Sequence, residues 1–224
     1  MPVDGYDESM ALVDRTRRHG AGEFQLLGRT WELLPEVWLP TLSYSTEFYT
    51  THLPYPPDGS FLEIGCGAGV TAVHAALSGC ATVTATDVNS QAVDNTARNA
   101  ERHGTSGVTA VVSDVFDGLD GHDRFDCVFW NLPYVAISTD YHYPDQLTRS
   151  VFDAGMAGCR AYVAGAARVL APGGRLFLGL GDIGDRDAME QAAAEHGWQV
   201  QLVAASRGEP DAHVEHRLFE LVKA

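Results

Sequence analysis

Phe61-Leu62-Glu63-Ile64-Gly65-Cys66-Gly67-Ala68-Gly69 is the stretch on which the reading of this chain turns. A short apolar run passes directly into three glycines at alternate positions, and Val70 to Leu77 continues with helical character. A strand that ends in a glycine-rich bend and opens a helix is the first unit of a βαβ fold. Glycine there permits positive φ and removes the Cβ that would hold a ligand away from the backbone. Glu63 sets a carboxylate at the C-terminal end of the strand, where open α/β sheets collect ligands, and a cationic group suits it. The spacing is GxGxG, not GxGxxG, and no Walker lysine follows, so a pyrophosphate is disfavoured and NAD binding is the lesser reading.

Outward from this stretch, β-rich runs alternate with helical ones. Strands are expected at Ser60–Ile64, Ala81–Thr86, Val108–Ser113, Phe125–Trp130 and Arg175–Leu180, and helices at Val70–Leu77, Ser90–Arg102, Ala161–Leu170 and Asp185–His196. Ala171-Pro172-Gly173-Gly174 stops the third helix, because proline cannot continue it and glycine caps it. Trp198–Ala205 and His216–Lys223 read as strands with no helix between them, joined around Gly208 and Pro210, hence an antiparallel hairpin at one edge. The fold class is therefore α/β: a Rossmann-like, seven-stranded, mostly parallel sheet with helices on both faces, an antiparallel C-terminal hairpin and a short N-terminal helical cap. The Pro-rich run Leu53 to Gly59 separates a cap or lid, 1–53, from the main domain, 54–224. In the cap, Glu8–Arg18 and Phe24–Leu34 carry helical spacing, and Trp31, Trp38, Tyr44 and Tyr49 suggest an aromatic lid.

Two more acids fall at strand ends. Asp87 closes the second strand, where a carboxylate accepts two ribose hydroxyls, and Asp114 closes the third, where it and the Val115 backbone would grip an adenine edge. Any one of the three acids taken singly reads more often as a cap or turn residue; their recurrence at successive strand ends points to one nucleoside site.

Composition excludes several classes. Among 224 residues, 15 basic side chains face 30 acidic ones, a net charge of −15, which repels polyanions. Arg15, Arg17 and Arg18 form the one basic cluster and read as a solvated helix face, so nucleic acid is an unlikely partner. No run approaches the roughly 20 apolar residues of a membrane span, and Met1 to Gly20 has neither signal nor transit character, which leaves the cytoplasm as the default location. Cys66, Cys80, Cys127 and Cys159 are widely spaced and read as buried thiols, and no metal-ligand spacing is present.

Phe129-Trp130-Asn131-Leu132-Pro133-Tyr134 ends the fourth strand. FLEIGCGAG, an acid at Asp87, SDVF and NLPY in this order resemble the class I S-adenosylmethionine-dependent methyltransferases with an Asn-Pro-Pro-Tyr-type motif, and among them the release-factor glutamine methyltransferases most closely. Leu27–Trp31, Val37–Pro40, Ser45-Thr46-Glu47, Phe152–Gly158 and Leu170–Gly174 extend the likeness over roughly Leu27 to Ala224. The resemblance implies S-adenosyl-L-methionine as cofactor, lined by Thr46, Glu63, Gly65, Cys66, Gly67, Gly69, Asp87, Val88, Asp114, Val115 and Asn131. It also implies a catalytic segment Asn131, Leu132, Pro133 and Tyr134: the Asn131 side-chain oxygen and Leu132 carbonyl accept hydrogen bonds from a planar nitrogen, and Tyr134 stacks on the acceptor. Pro133 holds Leu132 extended. Three departures stand out: fewer than 30 residues precede the match, leucine replaces the first proline, and Ala157 replaces an acid.

Methyl transfer to a nitrogen of a small molecule or a peptide side chain is the leading expectation. Alternatives are cyclisation of the cofactor to azetidine-2-carboxylate and methylthioadenosine, methylation of adenine in nucleic acid, and cofactor binding without catalysis. His142 and Cys66 are assigned no reaction.

Overall fold

The computed structural model describes residues 5–121, 123–206 and 214–224. The chain begins with α1 (Tyr6–His19), a hairpin of β1 (Gly22–Leu26) and β2 (Arg29–Leu33), and α2 (Ser45–His52). Next come β3 (Ser60–Ile64), α3 (Val70–Leu77), β4 (Thr82–Asp87), α4 (Ser90–Arg102), β5 (Val108–Val112) and β6 (Phe125–Asn131). Two short strands, β7 (Val135–Ile137) and β8 (Phe152–Ala154), pair in parallel beside α5 (Ala157–Gly165). Then follow β9 (Leu170–Gly181), α6 (Arg186–Glu195), β10 (Trp198–Ala205) and β11 (His216–Lys223).

Seven strands form the central sheet in the order β10-β11-β9-β6-β3-β4-β5. The β9-β6-β3-β4-β5 block is parallel throughout, while β11 runs antiparallel to both β9 and β10. The order reverses between β3 and β6, so the C-terminal ends of these two strands open a crevice at the topological switch point.

Alternation along the strands divides the core. Leu62, Val128 and Leu176 turn to one face, against Tyr162 of α5 and Met189 of α6. Phe61, Phe129 and Phe177 turn to the other, against Tyr49 of α2 and Ala72 of α3. A third cluster joins Trp31 and Leu33 of the hairpin to Val73 and Ala100. Burying each such large side chain stabilises the fold by about 2 kcal/mol.

The cap differs from its helical expectation. Phe24–Leu34 forms most of the β1–β2 hairpin, with Leu26 opposite Arg29 and a two-residue turn at Leu27-Gly28, both at positive φ. Phe24 and Trp31 are cross-strand partners on the buried face, a period of two that outweighs the helical spacing. The third helix of the main domain also lies earlier than expected, at Ala157–Gly165, with a 3-10 turn at Ala166–Arg168. Ala171–Gly174 does not precede the strand but lies within it, as a bulge between the Phe125–Leu170 and Cys127–Arg175 pairings. The expected loop around Gly208 and Pro210 lies outside the described residues.

Candidate active site

One cleft at the C-terminal rim of the sheet brings the glycine bend, the strand-end acids and the NLPY segment together. The bend supplies Glu63, Gly65, Cys66 and Gly67; β4 and β5 supply Asp87, Val88, Asp114 and Val115; α2 supplies Thr46; and β6 leads into Asn131, Leu132, Pro133 and Tyr134.

The bend is built by backbone conformation. Gly65, Gly67 and Gly69 all have positive φ. A Cβ on Gly65 would lie 2.8 Å from Nε1 of Trp130, whereas nothing stands within 4 Å of one on Gly67, which leaves the cleft open above it. Gly69 is the exception among the expected cofactor residues. It does not line the cleft; it caps α3 and abuts Thr96, whose backbone and side chain would meet an added Cβ at 2.8–2.9 Å. Its role is to turn the chain. Cys66 is buried and its Sγ accepts a hydrogen bond from Thr96 Oγ1 at 3.2 Å, with burial raising the thiol pKa, so its sulfur is occupied by packing.

The acids differ in state. Glu63 is 5% exposed, its Oε2 has no partner, and burial pushes its pKa up to about 8 against the opposing hydrogen bonds from Thr71 and Ala72. Asp87 Oδ2 accepts from the Gly67 N–H at 3.0 Å and Oδ1 from the Asn89 N–H at 2.9 Å; burial raises its pKa while these bonds oppose the rise. Asp114 is exposed at the rim beside Val115, a non-glycine residue at φ 48°.

At the other end of the cleft, Asn131 Oδ1 is buried without a hydrogen-bond partner. Such an acceptor costs about 1–3 kcal/mol if left dry, and a ligand N–H would relieve it. Leu132 turns its side chain into the core and donates its N–H to the Gly179 carbonyl at 3.1 Å. Tyr134 is not a freely presented stacking surface, as the sequence suggested. Its hydroxyl donates to the Tyr49 hydroxyl at 3.0 Å and lies 3.2 Å from Nδ1 of His216, and burial raises the phenol's pKa.

His216, Asn89 and Arg149 line the cleft and were missed. Asn89 caps α4 through Gln91 and donates to the Glu36 carbonyl at 2.8 Å, tying the cap to the rim. A lone histidine opening a strand carries no local signal; only the placement of β11 beside β9 brings His216 to the site. Of the aromatic lid, Trp38 and Tyr49 line the cleft, while Trp31 and Tyr44 do not. Trp31 is core, donating to the Leu26 carbonyl at 2.9 Å. Among the described residues no cluster of His, Cys, Asp and Glu is arranged to hold a metal ion, and the four cysteines are buried and free.

A parallel sheet with this strand order, an open glycine bend and acids on successive strand ends is the Rossmann-like fold of the class I S-adenosylmethionine-dependent methyltransferases. The residues fit that cofactor: the buried Oε2 of Glu63 at the cleft has no hydrogen-bond partner and can take a donor, and Gly67 leaves the space that a Cβ would enter. The chain belongs to the methyltransferase small domain family, whose model matches residues 40–196. It is 31% identical over 208 residues to the release factor glutamine methyltransferase of Xylella fastidiosa strain 9a5c, covering 85% of this chain and 69% of that one. Against the Bordetella pertussis enzyme of the same name it is 28% identical, covering 79% of this chain and 63% of that relative, so it spans just under two thirds of the latter's length. A ribosomal RNA small subunit methyltransferase C from Enterobacter sp. is 29% identical over 70% of this chain and 42% of its own length. The fold is shared with a methyltransferase from Pyrococcus furiosus, at a TM-score of 0.65 and 21% identity, covering 98% of this chain and 100% of that one.

Proposed function

We propose that this protein transfers the methyl group of S-adenosylmethionine to a nitrogen on a small molecule or a peptide side chain. The unpartnered Oδ1 of Asn131 carries the reading, because a buried acceptor at the end of β6 asks for an N–H donor in the cleft. When bound, the cofactor supplies a methyl already activated on a sulfonium.

The chain's own contribution is positioning and desolvation. Glu63, Asp87, Asp114 and the Gly65–Gly67 backbone hold the cofactor, with Thr46, Val88 and Val115 closing around it. Asn131 Oδ1 and the Leu132 carbonyl accept hydrogen bonds from the acceptor nitrogen, which turns its lone pair out of conjugation and makes it nucleophilic. Pro133 keeps Leu132 extended. Tyr134, pinned by Tyr49 and His216, forms a fixed wall of the acceptor space.

Relatives of this chain are named for a release factor glutamine, a ribosomal protein and a ribosomal RNA. Charge favours the non-nucleic acceptors here, since a −15 chain opposes a polyanion. The cytoplasm is the compartment we propose; among the described residues no helix is long and apolar enough to cross a membrane.

The test is incubation with methyl-labelled S-adenosylmethionine and a panel of carboxamide and aromatic-amine acceptors, with all products weighed by mass spectrometry. S-adenosylhomocysteine and an N-methylated acceptor are expected, and Asn131→Ala lowers the rate about 100-fold while the variant still binds cofactor. Methylthioadenosine as the product, or unaltered turnover in the variant, overturns the reading.

A further inference from the structure

The acceptor end of the cleft is roofed by the chain itself. α1 lays Ser9 and Leu12 over the cavity, Tyr6 stacks on Phe152 at 5.1 Å between ring centres, and Arg17 reaches Asp145 at 2.5 Å. Along the same cleft Leu12, Ile183 and Val214 are apolar, and Ser43, Tyr134 and His216 offer hydroxyls and an imidazole. Burial holds the pKa of that imidazole down to about 4.

Among the described residues that line the cleft, one is an arginine. Arg149, on the 3-10 turn Leu147–Ser150, lines the cleft beside Pro133 and Gln146. Its guanidinium carbon lies 4.3 Å from the centre of the Tyr143 ring, which fixes its plane. Eight other arginines have a carboxylate within 4 Å; Arg149 has none among the described residues. Asp145, four residues before Arg149, is taken by Arg17, and Asp114 and Asp153 share the adjoining hollow with Arg149 beyond ion-pair distance. Arg149 is thus a stacked arginine with no carboxylate in ion-pair contact among the described residues, in a chain of net charge −15.

We propose that the acceptor is a small molecule bearing a carboxylate, which Arg149 holds while the molecule's nitrogen is presented to Asn131. A guanidinium fork matches a carboxylate in two parallel hydrogen bonds, and stacking on Tyr143 lowers the ordering cost of forming them. A phosphate dianion fits less well, because one arginine compensates only one of its charges. The α1 roof favours a free small molecule over a loop of a large protein. This inference rests on reading the cleft as a methyl-transfer site.

The probes are three matched pairs, each an acid and its methyl ester: N-acetylglutamine, N-acetylasparagine and 4-aminobenzoate. Each is titrated by calorimetry into the full chain saturated with S-adenosylhomocysteine. At least one acid binds about tenfold more tightly than its ester, Arg149→Gln brings the two together, and Arg149→Lys retains part of the preference. S-adenosylmethionine affinity is the same in all three proteins. Failure of every pair to bind, or equal affinity of acid and ester, overturns the proposal. So does a loss of S-adenosylmethionine binding in Arg149→Gln, which would place the guanidinium on the cofactor's own carboxylate. Since equilibrium binding is read, these failures leave the methyl-transfer reading standing; absent cofactor binding in the unaltered chain is what would sink that reading.

Discussion

The hydroxyl of Tyr134 stands 3.2 Å from Nδ1 of His216, joining the NLPY segment to a strand that begins 82 residues later. Nε2 of the same ring lies 3.4 Å from Ser43 Oγ, so one buried imidazole ties the motif to the cap. An unfolded histidine takes up a proton near pH 6.5, whereas folded His216 stays neutral until about pH 4. Between those values the unfolded chain binds more protons, so this contribution to stability is whole above about pH 6.5 and is lost as pH falls toward 4. His216→Gln removes that slope. Urea unfolding of both proteins at about pH 7.5 and about pH 5 should show the stability gap narrowing by about 1 to 2 kcal/mol at the lower pH. A gap that is the same at both pH values contradicts the burial of a neutral imidazole.

Glu63 has the opposite sign. Its carboxyl is held protonated up to about pH 8, so the folded chain binds more protons than the unfolded one between about pH 4.5 and 8. Stability is lost as pH rises through that window. Glu63→Gln should therefore melt higher than the parent at about pH 8.5, by the equivalent of about 2 kcal/mol, with little difference near pH 5. It should also bind S-adenosylmethionine less tightly. Parallel melting curves across the pH range check the first statement, and a variant less stable at high pH refutes it.

Gly67 and Gly69 separate ligand space from packing. Alanine at Gly67 meets no atom within 4 Å, so Gly67→Ala costs only the strain of its positive φ, about 1 kcal/mol, yet it should weaken cofactor binding strongly. Alanine at Gly69 meets the Thr96 backbone at 2.9 Å and should cost about 2 kcal/mol or more. Chemical denaturation and cofactor titration of both variants should place the larger loss of stability in Gly69→Ala and the larger loss of affinity in Gly67→Ala.

Leu132→Pro restores the residue usual in the Asn-Pro-Pro-Tyr motif but deletes the N–H that Gly179 accepts, and it removes a buried side chain from the core. A loss of about 2 to 4 kcal/mol in stability is expected, with turnover per folded molecule retained because the carbonyl at position 132 survives. Unchanged stability would mean that the leucine is not the residue this backbone prefers.

Much of this molecule was legible before its structure. β3, α3, α4, β10 and β11 lie at the residues read from periodicity and glycine position, because each combines a clear repeat with an unambiguous stop. The β1–β2 hairpin was not legible: its turn places Leu27, not asparagine or aspartate, at positive φ, so the usual hairpin signal is missing. Ala171–Gly174 has every mark of a chain break, yet the parallel partner β6 absorbs it as a bulge. The strand-end acids are legible because they follow strands directly, and all three line the cleft; that Gly69 turns toward Thr96 instead is not, because sequence cannot show which side of a bend faces Thr96. His216 and Arg149 reach the cleft only through tertiary placement.

Calorimetric titration of S-adenosylmethionine into the folded chain and into Asp87→Ala tests the central claim most directly. Asp87 joins the end of β4 to the Gly67 N–H at 3.0 Å, so it should serve both the bend and the nucleoside. One molecule bound per chain, with affinity reduced at least 100-fold in the variant while its circular dichroism is unchanged, is the predicted result. No heat and no rise in melting temperature in the unaltered chain, or equal affinity in the two proteins, would contradict the assignment of this cleft.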